Sequence, residues 1–457
     1  MATTKVTSTN NSTTDPANIQ AALDAFSGNG NILQLEQADA DTPFDLGTTM
    51  IEITDKGVTV VGLPAATPSG RPELLNGGNG TDKNTWLVDA AGYDVFFEEL
   101  VMKNYTGRGI YYYKVKDHGI DHVDFLLDTG DGHTFVGPFG PQVSAIVYSS
   151  IIDAGAFKGP TGQGSVENCL IDMELTADPA DPYAGDRSVL NPATIANGGA
   201  WPGPGNQNPG GWITNGIVVA AIDTTAVVTV KNNVIKNVSA RGLFGADQFG
   251  LSDFNNNVVI TPYGIHQGGS GIGCMGALLF SGFFVSQPDV RTIHGDVRCT
   301  KNQIVMQGQT CGGIICGAQS PFKLNSISVA QNNISLTDNG FAGLFVLPNN
   351  LGYFGQNRIQ GSGNWAAIVG LTAPVRVFGT DKNAFVGNNV KGFTPAVATA
   401  YFTPDSRQNS WAGGGLAVET VTNAGDENKI TGVTSVAGGI GQDLQDVLDH
   451  LRTIPMP

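Results

Sequence analysis

Charge is scarce in this chain. Only 14% of its 457 residues are Asp, Glu, Lys or Arg, against roughly 25% in ordinary soluble domains. Positive charge is the scarcer sign, with 24 Lys and Arg against 40 Asp and Glu, for a formal net charge of −16. A field of that sign repels polyanions, so nucleic acid is not an expected partner. Long apolar runs are missing too. None approaches the ~18 residues of a membrane-spanning helix, and no membrane partner is expected. Met1 to Asn11 is rich in Thr, Ser and Asn and has no apolar signal core, which predicts a cytoplasmic chain unless it is a mature form or is exported by another route. The five cysteines (Cys169, Cys274, Cys299, Cys311 and Cys316) are odd in number and lack His at zinc spacing. Buried core thiols are therefore expected, and no metal centre. Long helical patterns are also nearly absent.

What the chain has in abundance is glycine, 62 residues, and a repeated asparagine. Asn, one variable residue and an apolar or small residue recur at Asn232, Asn256, Asn302, Asn332, Asn357 and Asn383, at intervals of 24, 46, 30, 25 and 26. The 46 reads as two turns with the middle Asn missing, and the 30 as one turn with a loop. A second series, a small residue before an apolar pair, runs in phase: Gly216, Gly242, Gly264, Gly313, Gly343, Ala367 and Gly415. Two short-period motifs in phase are the signature of a solenoid. Asn tolerates the left-handed backbone of a corner, and its amide can bond the Asn above and below. Gly permits the bend that follows. The reading is a single all-β domain over residues 1–457, a solenoid whose apolar residues fill a narrow interior closed by neighbouring turns.

The ends read as caps. Asp15-Pro16 opens a helix over 15–27, with Asp15 capping and Ile19, Leu23 and Phe26 on one face; a second amphipathic stripe predicts a C-terminal helix over 440–452. Between them, residues 176–213 form a long Pro/Gly-rich insertion, and such loops are commonly functional. The amphipathic N-terminal helix, strands such as Asn31-Ile32-Leu33-Gln34-Leu35 and Val58-Thr59-Val60-Val61-Gly62, and the Asn-rich turns resemble the pectate-lyase-like right-handed parallel β-helix superfamily over about residues 15–435. The resemblance implies a right-handed parallel β-helix with a site on an outer face, and it leaves a homotrimer open. It does not choose a chemistry. The Gly-His-Gly, Asp-Asp and Arg-x-Lys motifs of the hydrolases are absent, as is the Asp-Pro-His-Asp of the epimerases.

Two polar clusters are candidates for chemistry. One is Asp117, His118, Asp121, His122, Asp124, Asp128, Asp131 and His133, carboxylates and imidazoles suited to proton transfer. Strand alternation would put Asp117 and Asp121 on one face and His118, His122 and Asp124 on the other, with His122 one turn after Glu98. The loop at 128–132 offers oxygen ligands to calcium but not at EF-hand spacing, so no cofactor is required by the sequence. The preferred cluster follows the insertion: Asp247, Asp253 and His266 as catalytic groups, with Trp201, Trp212, Arg241 and Tyr263 binding substrate. Phe244 and His266 would stack on adjacent turns. At 25 residues per turn, the two clusters lie about five turns and some 24 Å apart. The expected activity is carbohydrate-directed: cleavage or rearrangement of glycosidic bonds in a neutral oligo- or polysaccharide, the acidity arguing against a uronate polymer. A small-molecule isomerase or cyclase, or a non-catalytic binding or structural solenoid, remains the alternative.

Overall fold

The computed structural model describes residues 1–173 apart from 79–83, 106, 128–135, 138–139, 149–150 and 154–155. It also describes residues 213–437 apart from 221, 239–240, 247–248, 262–269, 277–292, 308–311, 319–322, 338–341, 348, 362–374, 378–379, 381, 392–399, 414–419 and 434. About 62% of the described residues are strand and 4% helix. Among the described residues the strands form a 23-stranded sheet and a 14-stranded sheet. Their pairings are parallel, save for short antiparallel ladders at 136–141 and 151–158. A parallel partner needs a long crossover, and here each strand pairs with one that is a circuit away in sequence. In the long sheet, Val230, Phe254, Cys299, Val329, Phe354, Phe385 and Trp411 occupy one register column, and all are buried. Phe354 and Phe385 stack at 4.8 Å between ring centroids, and Phe385 and Trp411 at 5.6 Å. The architecture is all-β and compatible with a parallel solenoid.

The corner of the long sheet corrects the register expected from the repeat. The bonded asparagines are Asn233, Asn257, Asn302, Asn332, Asn357 and Asn388. Each of the first five donates its side-chain amide to the Oδ1 of the next, at 2.9–3.0 Å. The residue before each one turns the chain: Asn232, Asn256, Lys301, Gln331 and Gln356 have φ of 55–59° and Gly387 has 63°. In Asn232-Asn233 and Asn256-Asn257 the first is the corner and the second the bonded residue, whereas in Asn332-Asn333 the first is the bonded one. Asn257 bonds directly to Asn302, and Val258 pairs with Gln303. The long interval is thus one circuit carrying an insertion, not two turns. Asn383 belongs to a different column, bonded to Asn409 and through it to Asn428.

The glycine series shifts likewise. Leu243 pairs with Ile272, which places Gly271 rather than Gly264 in line with Gly242. A Cβ on Gly242, Gly271 or Gly313 would stand 2.4–2.5 Å from Val259, Ile304 or Ile334 across the interior. That close approach is why this column is glycine. Phe244 is beside Gly273, so its expected partner is not His266, which lies outside the described residues. Arg108–Val115 and Arg241–Ala246 are three strand steps apart in the second sheet. Five turns shrink to three, about 14 Å, because Ile146 and Ile217 are direct register partners despite the long stretch of chain between them.

Helix α1 spans Thr14–Asp24, ending three residues before the expected stop. Asp15 is not its cap. The Asn11 side chain accepts from the Thr13 and Thr14 amides, while the buried Asp15 carboxylate accepts from Thr9 N, Thr9 Oγ1, Asn11 N and Asp45 N. Asp15 thereby ties the helix to the first strands, and Ile19 and Leu23 pack into the core. Residues 440–452 lie outside the described residues. Cys169, Cys299 and Cys316 are free thiols and buried. No helix among the described residues is long and apolar enough to cross a membrane.

Candidate functional site

Of the preferred site residues, Asp253 and Arg241 are described; Trp201, Trp212, Asp247, Tyr263 and His266 lie outside the described residues. The two that remain are on different sheets. Arg241 is in the second sheet, between Asn215 and Ser270, with its guanidinium 4.2 Å from the centre of the Phe244 ring. Burial pulls its pKa down to about 10. Arg108 repeats the arrangement over Tyr111 at 4.7 Å. Phe244 is itself buried, so this pair is packed rather than presented to a substrate.

Asp253 is in the long sheet. Its neighbours Ser252 and Phe254 are fully buried, and alternation turns Asp253 to the outer face with Leu251 and Asn255. There it starts a column on successive strands: Asp253 pairs with Arg298, Arg298 with Ser328, and Ser328 with Tyr353. Burial raises the Asp253 pKa, opposed by the charge of Arg298. Its Oδ1 is shielded from solvent and has no hydrogen-bond partner. One strand on and two residues back is Asp296, opposite Leu251. Asp296 Oδ1 accepts from Asn325 Nδ2 at 2.7 Å and Ser326 Oγ at 2.6 Å. Offsets of one strand spacing and two residues put the Asp253 and Asp296 α-carbons about 8 Å apart. Two outward carboxyls in unlike surroundings result: one desolvated and prone to keep its proton, the other held by two donors.

Sequence reading found Asp253 and missed Asp296, Arg298 and Tyr353. A signal for the column was available, since Asp253, Arg298, Ser328 and Tyr353 each stand three residues before a left-handed corner residue. It could be used only once corner and bonded asparagine were told apart, since Asn256 is a corner whereas Asn302, Asn332 and Asn357 are bonded residues.

The other cluster is divided by the fold. His118 is buried and His122 exposed, because His122 has φ 52° and bends the strand outward. Equal alternation through 117–124 therefore fails. His122 aligns with Glu99, and Asp121 with Glu98. On the surface Asp121 Oδ1 meets His122 Nδ1 at 3.0 Å and Asn168 Nδ2 at 2.8 Å, while Arg71 bonds Asp124 and the His122 carbonyl. Burial, then Asp121 and Glu99, raise the Glu98 pKa. Asp117 is held low by the Gln163 amide and Lys116. Asp128, Asp131, His133 and the 128–132 loop lie outside the described residues, and among those described no group of His, Cys, Asp and Glu is placed to hold a metal ion. No protein-family model matches the chain, and no curated protein matches it.

Proposed function

We propose that the chain is a closed right-handed parallel β-helix of the pectate-lyase-like kind and a carbohydrate-active enzyme that cleaves glycosidic bonds on the outer face of its long sheet. The carrying observation is the unlike pair Asp253 and Asp296 on adjacent strands, one with a shielded and unpartnered Oδ1 and the other held by two side-chain donors, since unlike surroundings let two carboxyls take acid and base roles. In this reading Asp253, whose pKa burial raises, is the acid that gives its proton to the departing sugar oxygen. Asp296, steadied by Asn325 and Ser326, takes a proton from the attacking water. The separation of the two carboxyl groups, roughly 5–5.5 Å for retention and roughly 6.5–9.5 Å for inversion, decides the anomeric outcome.

The test is release of new reducing ends from a panel of oligosaccharides, with the anomeric form of the first product read by NMR. Asp253→Asn and Asp296→Asn should each lower the rate by about 10²-fold or more. Unchanged rates in both variants would remove the pair from the mechanism. An ultraviolet-absorbing unsaturated product would replace hydrolysis with elimination. Binding without any turnover would favour the non-catalytic solenoid, a reading that the openness of the Asp121–His122 surface also suits.

A further inference from the structure

The charge of −16 is unevenly distributed. Residues 1–186 hold 9 Lys and Arg against 26 Asp and Glu, whereas residues 293–403 hold 7 against 3. In the acidic part, the cations are engaged: Lys5 with Glu36, Lys56 with Asp24, Lys103 with Glu73 and Lys114 with Asp89. In the basic part Arg298, Lys301, Arg358, Lys382 and Lys391 are all exposed, and none forms an ion pair among the described residues. An overall negative protein thus carries a locally positive stretch in which these five side chains form no ion pair among the described residues, although the charge of Arg298 acts on Asp253.

The same stretch holds Leu351, Tyr353 and Val386, which are 59%, 42% and 41% exposed and, with Met1, are the large exposed hydrophobics among the described residues. Tyr353 lies along its own strand, its hydroxyl 2.2 Å from where a Cβ on Gly355 would be. Gly355 therefore leaves the space that the ring occupies. The strand beyond places Ala384 beside Tyr353 and the exposed Val386 beside Gly355, so the ring is flanked on that side by one small and one branched apolar side chain. Arg298 is two strands before Tyr353 in its column. Lys382 precedes Asn383, the register partner of Gly352.

We propose that this part of the outer face is a binding subsite for an anionic saccharide, with Tyr353 against a sugar ring and Arg298 and Lys382 pairing with its carboxylate or sulfate groups. An aromatic ring matches the C–H face of a sugar, and charge-assisted bonds from a guanidinium or ammonium select the anionic substituents. The distant acidic residues do not oppose such a ligand, because charges farther than about 10 Å are screened at moderate salt. The near acidic groups are Asp253, the register partner of Arg298, and Asp296 two residues before it, while Tyr353 and Lys382 lie farther along the face. The proposal deepens the cleavage reading and rests on it for where the bond is broken: from Asp253 to Tyr353 is three strand steps, about 14 Å, so the ligand is a chain and not a single sugar. It also replaces the uncharged substrate suggested by net charge alone.

The experiment is calorimetric titration of the full chain with length-matched oligosaccharides: oligogalacturonate and hyaluronan for carboxylate, dextran sulfate for sulfate, maltohexaose as the uncharged arm. At least one anionic arm should bind more tightly than maltohexaose, and binding should weaken about tenfold between ~50 and ~300 mM salt. Tyr353→Ala, Gly355→Ala and the double variant Arg298→Ala/Lys382→Ala should each weaken it about tenfold, while Tyr353→Phe retains it. Thermal melts report whether each variant is folded. Equal or tighter binding of maltohexaose overturns the charge selection, and full binding by Tyr353→Ala and the double variant overturns the location. Anionic binding that persists in Asp253→Asn with no turnover in the native chain leaves this subsite standing and removes the cleavage reading. No binding by any arm overturns the subsite.

Discussion

At the scale of single residues, His118 shows what burial does to a group that would ordinarily titrate near neutrality. Its ring is 5.1 Å from both Tyr112 and Tyr148, and Gly164 presses against Nε2. Burial lowers its pKa to about 4, with the Lys116 carbonyl and Asp117 only partly compensating. A folded pKa below the unfolded one means that the unfolded chain takes up the proton first as pH falls. His118 therefore costs nothing above about pH 6.5, and its penalty grows from there until it levels off near pH 4. The displacement of about 2.5 units corresponds to about 3 kcal/mol. Denaturant melts at pH 7 and pH 4.5 measure it: His118→Leu should flatten the acid loss by about that amount, whatever its stability at pH 7. An undiminished slope would assign the acid sensitivity to the carboxylates.

At the scale of elements, the corner of the long sheet separates two columns that the sequence writes with similar letters. Asn332 donates to Asn357 Oδ1 and to the Cys299 carbonyl, and it accepts from the Asn302 amide and side chain. Asn332→Ala would remove these bonds and leave the buried Asn302 amide without its acceptor, at about 1–3 kcal/mol. Gln331, one residue earlier, is exposed and its side chain bonds only Gln356; its left-handed backbone is already borne by Gln, so Gln331→Ala should cost no more than about 0.5 kcal/mol. Urea titration of the two variants checks the contrast, and equal losses would mean that the ladder is decorative. The repeat was legible because stacked amides demand the same residue on each circuit. Its register was not, since Asn serves both as corner and as rung, and Lys or Gln can take the corner. The Asn257–Asn302 circuit was misread because pairing ignores how much chain lies between partners. Apolar rungs were invisible for a related reason: Leu100, Val123 and Cys169 hold the equivalent positions in earlier circuits and carry no repeated letter. Asp253 could be picked out as a carboxylate, but Arg298 and Tyr353 acquire meaning only from the column that joins them.

At the scale of the whole molecule, the two ends of the charge distribution should answer salt with opposite signs. In the acidic part, Glu98 faces Asp121 across neighbouring strands and sits beside Glu99, and both raise its pKa. Their repulsion is reduced as the screening length shrinks from about 30 Å at 0.01 M toward about 8 Å at physiological ionic strength. The ion pairs that salt also weakens include exposed ones such as Lys5–Glu36, which contribute at most about 1 kcal/mol each. Net stabilisation by salt is the expected sign, a melting temperature a few degrees higher at ~300 mM than at ~20 mM sodium chloride. Glu98→Gln should raise the low-salt value and shrink the increment, because it removes one of the repelling charges. A melting temperature that falls with salt would instead put the ion pairs in control. Saccharide binding on the basic stretch should weaken over the same salt range in which the fold gains stability, so the two responses separate the charges that bind from the charges that strain the fold.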